Sequence, residues 1–195
     1  MELYIARHGE TEGNAARQTQ GSGLDTPLTP KGINQAKTLR QSLQNINFDA
    51  IYSSPLKRAM DTARIAFDDE TLFDRHGLTD KRLVEIGMGD AEGMDWDDAA
   101  MDFPAFGYLM TNPSAYIPPP NGETLPDMIA RIDSFLQELA TKSYKRVFVL
   151  AHGYVLRVVH ACTQGKTPAA ITQAPVYDNC ALARYTYNGT YWEPK

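Results

Sequence analysis

Two histidines each follow a short apolar run and precede a glycine. Arg7-His8-Gly9 comes after Leu3–Ala6, and His152-Gly153 comes after Val147–Leu150 and one alanine. A third apolar run, Phe48–Tyr52, ends in Ser53-Ser54-Pro55, with Arg58 one helical turn further on. These residue types suit phosphoryl chemistry. A neutral imidazole attacks phosphorus and forms a phosphohistidine, which splits one hard displacement into two easier ones. Arginines hold phosphate oxygens through forked, permanently charged donors. The glycines let backbone N–H groups approach an anion closely. Arg7, Arg58 and a protonated His152 are therefore expected to stabilise the equatorial oxygens of a transferring group. Glu85, just before the Ile86-Gly87 turn, is the expected acid. It would protonate the leaving oxygen and then activate water. Partial burial would supply the raised pKa this role needs.

Other uses of the same residues stay open at this level. Either histidine alone reads more simply as a core residue at a strand end, and His76 and His160 keep that reading. His8, His152 and Glu85 also have the composition of a two-histidine, one-carboxylate metal site. Arg7 and Arg58 speak against it, because fixed positive charge repels a dication. A non-catalytic sensor of phosphorylated ligands would use the same pocket, although such a protein would be expected to have lost its nucleophile or its acid.

The elements that must position these residues follow from periodicity. Leu3–Ala6 predicts a first strand. Thr29-Pro30 predicts a capped helix start, followed by Ile33, Ala36, Leu39, Leu43 and Ile46 at helical spacing. Phe48–Tyr52 predicts a second strand, and Ser53-Ser54-Pro55 a cap for a helix whose stripe is Leu56, Ala59, Met60, Ala63 and Phe67, with Arg58 off that stripe. Leu83–Ile86 has the pattern of a short strand. Thr124-Leu125-Pro126 opens a helix with Met128, Ile129, Ile132, Leu136 and Leu139 on one face. Val147–Leu150 predicts a strand buried on both faces, and a helix from Tyr154 to about Thr163 follows it. Asn188-Gly189 predicts a terminal hairpin between Leu182–Tyr187 and Thr190–Trp192. Strands alternating with helices predict an α/β fold with a largely parallel sheet. In such sheets ligands bind outside the carboxyl ends of strands, which would bring the histidines and arginines to one edge.

Between these elements the chain changes character. Asp90, Glu92, Asp95, Asp97 and Asp98 form an acidic run without a base. Residues 101–120 are rich in methionine, aromatic residues and proline, too irregular for a core element. This predicts a cap or lid over about 88–122 on a single domain, 1–195, whose aromatic residues meet the non-phosphate part of a ligand.

The chain has 195 residues, of which 43% are hydrophobic and 22% charged, with a net charge of −5. That is an ordinary globular composition. The acidic balance disfavours a nucleic-acid partner, which requires basic excess. No apolar stretch has the length of a membrane span, and no signal peptide is visible, so a cytoplasmic location is expected. Cys162 and Cys180 lack Cys-x-x-Cys spacing and read as reduced and structural.

The ordered motifs resemble the histidine phosphatase superfamily, which includes the cofactor-dependent phosphoglycerate mutases. They are RHGET at 7–11, Asn14, TQGSGLDTPLTPKG at 19–32, IYSSPLKRAMDTA at 51–63, Glu85, Glu92-Gly93, NGET at 121–124 and Ala151-His152-Gly153. The resemblance implies a three-layer α/β/α sandwich, phosphoglycerate mutase-like, that works without a metal or other cofactor. It implies that His8 is phosphorylated, that Arg7, Arg58 and His152 form the phosphate pocket, and that Glu85 is the proton donor. It implies that Asn14, Gln20 and Gly21 touch phosphate or substrate and that Gly153 supplies a backbone donor. Ala91 stands where many members carry an aromatic residue. The stretch after Glu85 is acidic, whereas mutases place basic residues there to hold a second anionic group. The expectation is hydrolysis of a small phosphorylated metabolite by a monomer or homodimer, with mutase activity as the alternative.

Overall fold

The strand Glu2–Arg7, β1, runs into a four-residue turn of helix, α1 (Glu12–Ala15), capped by the side chain of Thr11. In the computed structural model, residues 1–75 and 77–195 are described, Arg75 by its backbone alone. His76 lies outside the described residues. Thr29 caps Gly32 N and Pro30 takes the first position of α2 (Pro30–Leu43), as the Thr-Pro pair predicts. Next come β2 (Ala50–Ser53), α3 (Lys57–Phe67), α4 (Leu72–Arg75) and β3 (Gly77–Thr79). The short helices α5 (Trp96–Asp102) and α6 (Tyr108–Thr111) precede α7 (Leu125–Ala140), which starts on the Thr124 cap. β4 (Arg146–Ala151) leads into α8 (Gly153–Thr163), then α9 (Pro168–Ile171). β5 (Leu182–Tyr187) and β6 (Trp192–Pro194) close the chain as an antiparallel hairpin.

The sheet order is β3-β2-β4-β1-β5-β6. β3, β2, β4 and β1 are parallel neighbours, and β5 and β6 add an antiparallel edge. The carboxyl ends of β2, β4 and β1 therefore lie side by side. Side-chain alternation sets the layers. Leu3, Ile5, Val147 and Val149 enter one core, with α7 and α8. Tyr4, Ala6, Phe148 and Leu150 enter the other, with α2 and α3. Strands β1 and β4 are buried on both faces because helices cover both. This is the expected α/β/α sandwich.

Four expectations need correction. Leu83–Ile86 is not a strand: a 3-10 turn spans Lys81–Leu83, capped by Asp80. Arg131 then takes the carbonyls of Arg82 and Val84, so the acceptors a sheet neighbour would use are already bonded. The segment 101–120 does join the core. Phe106 and Leu109 are fully buried, and Tyr116 packs with them in the α7–α8 layer. Burying such side chains stabilises the fold by about 1.5–3 kcal/mol each, which outweighs the irregular backbone around them. The helix after β2 begins at Lys57 rather than on a serine cap: Leu56 holds the cap position, the Asp25 carboxylate accepts from Lys57 N and Arg58 N, and the Ser54 hydroxyl is shared between Leu56 N and His152. The second hairpin strand starts at Trp192, as Asn188 N bonds Tyr191 O and widens the loop. Both cysteines are free, and burial pushes each thiol up to about 12.

Candidate active site

His8 leaves the end of β1 with its backbone N–H on Ala151 O of β4. Its Nδ1 lies 2.7 Å from Gly9 O. A carbonyl only accepts, so Nδ1 carries the proton and Nε2 keeps a free lone pair in the neutral ring. Burial, with Arg58 and Arg7 nearby, holds the His8 pKa well below its ordinary value. The imidazole is therefore neutral and nucleophilic around neutral pH. Two further bonds hold this corner. Gly9 N donates to Thr62 Oγ1 at 3.1 Å, and Asn179 Nδ2 donates to His8 O at 3.1 Å.

The other residues come from neighbouring strand ends. His152, the residue between β4 and α8, is fully buried, with its ring centroid 5.2 Å from that of His8. Its Nε2 is 2.7 Å from Ser54 Oγ. Ser54 Oγ accepts from Leu56 N at 3.3 Å, and in the tautomer that carries the ring proton on Nδ1 its O–H donates to Nε2. Burial and the neighbouring Arg58, His8 and Arg7 hold His152 well below its ordinary pKa. Among the protein's own charges it is therefore neutral, whereas the expected protonated form belongs to a pocket that holds a phosphate anion, whose charge acts the other way.

Arg58 is 1% exposed and locked in place. It donates to Leu24 O at 2.7 Å, Gly21 O at 2.9 Å and Asp25 Oδ1 at 3.1 Å. Arg7 donates to Tyr177 O at 2.7 Å. Three buried ring or guanidinium nitrogens beside His8 have no partner among the described residues: Arg7 Nε, Arg58 Nε and His152 Nδ1. Buried polar atoms are rarely left unpaired, and a cluster of donors in that state is the signature of an anion site.

Glu85 faces the same cluster. It is 7% exposed, and its two carboxyl oxygens accept from Ile86 N at 3.0 Å and Tyr154 N at 3.2 Å. Burial raises its pKa, opposed by those N–H groups and by Arg58 and Arg7. Arg131 positions it. That side chain spans Glu123, at 2.6 and 2.8 Å, and the carbonyls of Arg82, Val84 and Glu85.

Arg7, His8, Asn14, Gln20, Glu85 and Gly153 line one cavity of about 150 Å3, with Gln18, Met88, Trp96, Leu109, Met110, Tyr154, Arg157, Val176 and Tyr177. Arg58 and His152 sit deeper and do not line it. Gly21 does not line it either, and its part is to hold Arg58 through its carbonyl. A Cβ on Gly21 would lie 2.3 Å from Glu92 Oε1, so only glycine fits there. Gln20 is oriented by Thr11 at 2.5 Å, Asn14 at 3.3 Å and Thr26 at 2.5 Å. Among the described residues no group of three His, Cys, Asp or Glu side chains is placed to hold a metal ion.

Several residues here carried no recognised signal in the sequence. Asn179 and Thr62 act through bonds to the His8 corner from 171 and 53 residues away, which no spacing encodes, although Thr62 lies within the 51–63 motif. Arg131 lies on the helix flank beside the apolar stripe. Arg157 had a signal: it is a lone charge in the apolar run Val155–Val159.

The histidine phosphatase superfamily (branch 1) profile matches residues 3–195. The chain is 32% identical over 193 residues to a probable phosphoglycerate mutase, GpmB, of Yersinia pestis, covering 98% of this chain and 87% of that one. Among solved structures it is similar to YhfR of Bacillus stearothermophilus, with 31% identity, a TM-score of 0.86 and 99% and 94% of the two chains covered. It is also similar to the alpha-ribazole phosphatase of Shigella flexneri, with 27% identity, a TM-score of 0.86 and 100% and 95% covered. A mycobacterial glucosyl-3-phosphoglycerate phosphatase solved with VO3 matches at 25% identity and a TM-score of 0.87, with 100% and 96% covered. A match that begins at Leu3 and reaches the final residue leaves neither sheet nor cleft outside it, and the chain belongs to the histidine phosphatase superfamily.

Proposed function

We propose that this protein is a phosphomonoesterase that hydrolyses a small phosphorylated metabolite through phospho-His8. The observation that carries the reading is the His8 corner itself. Nε2 is free because Nδ1 is bonded to Gly9 O, and three unpaired buried donors stand around it.

In the first step Nε2 attacks phosphorus in line with the departing alcohol. Arg7, Arg58 and His152 Nδ1–H neutralise charge on the equatorial oxygens. Glu85, holding its proton through burial, gives it to the leaving oxygen. In the second step the Glu85 carboxylate takes a proton from water, which attacks the phosphohistidine and regenerates His8. Asn14, Gln20 and the Gly153 backbone orient the ester. The residues of 88–122 that line the cavity, Met88, Trp96, Leu109 and Met110, act as a cap over the non-phosphate part.

The acidic run after Glu85 supports water rather than a second phosphorylated ligand as acceptor. Mutase activity is the second reading, favoured by the identity with the probable mutase. Labelled phosphomonoester should transfer phosphate to the protein in an acid-labile, base-stable form, followed by release of inorganic phosphate. His8→Ala should abolish both. Full activity in His8→Ala overturns the mechanism, whereas turnover that requires a bisphosphorylated primer and releases little phosphate supports the mutase.

A further inference from the structure

His8 owes its tautomer to one carbonyl, Gly9 O, which takes the Nδ1 proton at 2.7 Å. Whatever aims that carbonyl therefore bears on the chemistry. Gly9 O and Glu10 N belong to the same peptide unit. The unit is planar and trans, so its C=O and N–H point in opposite directions. Fixing one end fixes the other. Glu10 N donates to Gln35 Oε1 at 2.8 Å. Gln35 on α2 thus holds the N–H side of the very peptide whose carbonyl side faces the His8 ring.

The neighbouring peptides are clamped from other elements. His8 O accepts from Asn179 Nδ2 at 3.1 Å and from Cys180 N at 3.2 Å, and Gly9 N donates to Thr62 Oγ1 at 3.1 Å. Glu10 O accepts from Thr29 N at 2.9 Å. For the unit between Gly9 and Glu10, the hydrogen bonds among the described residues are those to His8 and Gln35 alone. The helix is seated for this contact. A Cβ on Gly9 would stand 2.6 Å from Gly32 O, and a Cβ on Gly32 would collide with Glu10 O, so loop and helix meet backbone to backbone. Gln35 follows Gly32 by one turn and lies on the same face. It is half-buried and lines the open groove between α2 and residues 178–181, not the cavity that His8 and Glu85 line. It acts through the backbone and does not meet a ligand.

We propose that Gln35 is a positioning residue that sets the tautomer of the nucleophile. By holding Glu10 N–H it keeps Gly9 O against Nδ1, which leaves the lone pair on Nε2 for attack on phosphorus. This rests on the phospho-His8 reading and deepens it. Without the acceptor the peptide turns more freely and Nδ1 loses its carbonyl. The ring then divides between two tautomers, and only one of them presents Nε2 as a nucleophile.

The test compares Gln35→Leu, which removes the acceptor, with Gln35→Glu, which keeps a carboxylate oxygen at the same reach. In protein carrying 15N-labelled histidine, the His8 ring signals are those absent from His8→Ala, and their two-bond couplings report which nitrogen bears the proton. The unaltered protein should show Nδ1–H alone above the histidine titration range, and Gln35→Leu a mixture with Nε2–H. The rate of phosphoenzyme formation from saturating 4-nitrophenyl phosphate should fall about tenfold in Gln35→Leu, the scale of one hydrogen bond, with the Kd of the ester little changed. Gln35→Glu should restore both the tautomer and the rate. Active sites are counted by the amplitude of the phosphoenzyme burst, so a lower folded fraction does not enter the rate. A Gln35→Leu protein that keeps Nδ1–H alone, or forms phosphoenzyme at the unaltered rate, overturns the inference. The two claims fail separately. A changed tautomer in Gln35→Leu, with no phosphoenzyme from the unaltered protein, sustains the role of Gln35 and defeats the phospho-His8 reading. Phosphoenzyme in the unaltered protein, with the ring unmoved in Gln35→Leu, does the reverse.

Discussion

Arg58 at the floor of the cleft and Arg157 in its wall are both buried, yet they are held in opposite ways. Arg58 has Asp25 for its charge and two carbonyls for its N–H groups. Arg157 has a sulfur atom, one long carbonyl contact and an aromatic face. The floor is built from three adjacent strand ends and is oriented before any ligand arrives, as a transition-state clamp must be. The wall is built from the irregular 88–122 segment and the middle of α8. Its cation has no carboxylate partner among the described residues. The contrast teaches that a common phosphate site and a particular substrate can be specified by separate parts of one cavity.

The largest expected effect tests the floor. Glu85→Gln should lower turnover of alkyl phosphates by about 10²–10⁴-fold, the usual contribution of a positioned acid. Formation of the phosphoenzyme from 4-nitrophenyl phosphate, whose leaving group needs no proton, should suffer far less. The sign of the pH dependence follows from the shifts. Glu85 is raised, so kcat/KM falls as pH rises through its raised value. That limb should vanish in Glu85→Gln. His8 is lowered, so loss of its neutral form appears only below the ordinary histidine range. An alkaline limb that persists in Glu85→Gln would assign the acid elsewhere.

Next comes Arg58→Met, expected to cost about 10²–10³-fold, the range measured for removal of one transition-state donor. Its loss should be equal whatever alcohol the ester carries, because Arg58 serves the phosphate end alone. If Arg58→Met altered the preference among alcohols, floor and wall would not be separable. The smallest effect on chemistry is expected from Phe106→Ala. Phe106 is fully buried against Trp96 at 5.2 Å, so its removal should lower stability by about 3–5 kcal/mol, read by denaturant unfolding. Phosphoenzyme formation at low temperature should persist while discrimination between chain lengths weakens.

The two buried histidines add a stability term with a definite sign. Their folded pKa values lie below the unfolded one, so the unfolded chain takes up protons first as pH falls. Stability on this account is present above the ordinary histidine pKa and is lost below it.

How much of this was legible in the chain depends on the range of the interactions. The strand ends, the Thr29 and Thr124 caps and the double-faced burial of Val147–Leu150 are local or periodic properties, and the structure reproduces them. Of the candidate set, Arg7, His8, Arg58 and His152 were readable because each lies at or just after a strand end that the pattern marks, whereas Glu85 follows a 3-10 turn where the pattern had placed a strand. Long-range bonds left no such trace. Ser54 reads as a helix cap, yet its hydroxyl orients His152, 98 residues away. Leu83–Ile86 reads as a strand, yet Arg131 takes its Val84 and Glu85 carbonyls from 47 and 46 residues away.

The sequence by itself determined the parallel sheet, the edge at which the chemistry collects and the class of that chemistry, because periodicity and residue type act locally. Only the tertiary structure decided which tautomer each histidine adopts, that His152 is neutral among its neighbours, and that the Met, aromatic and proline segment is core on one side and cavity wall on the other. These depend on burial and on partners distant in the chain. The same is true of Arg157. In the sequence it is one charge in an apolar helix, and its unpaired state in the cleft exists only once α6, α8 and α9 are packed together.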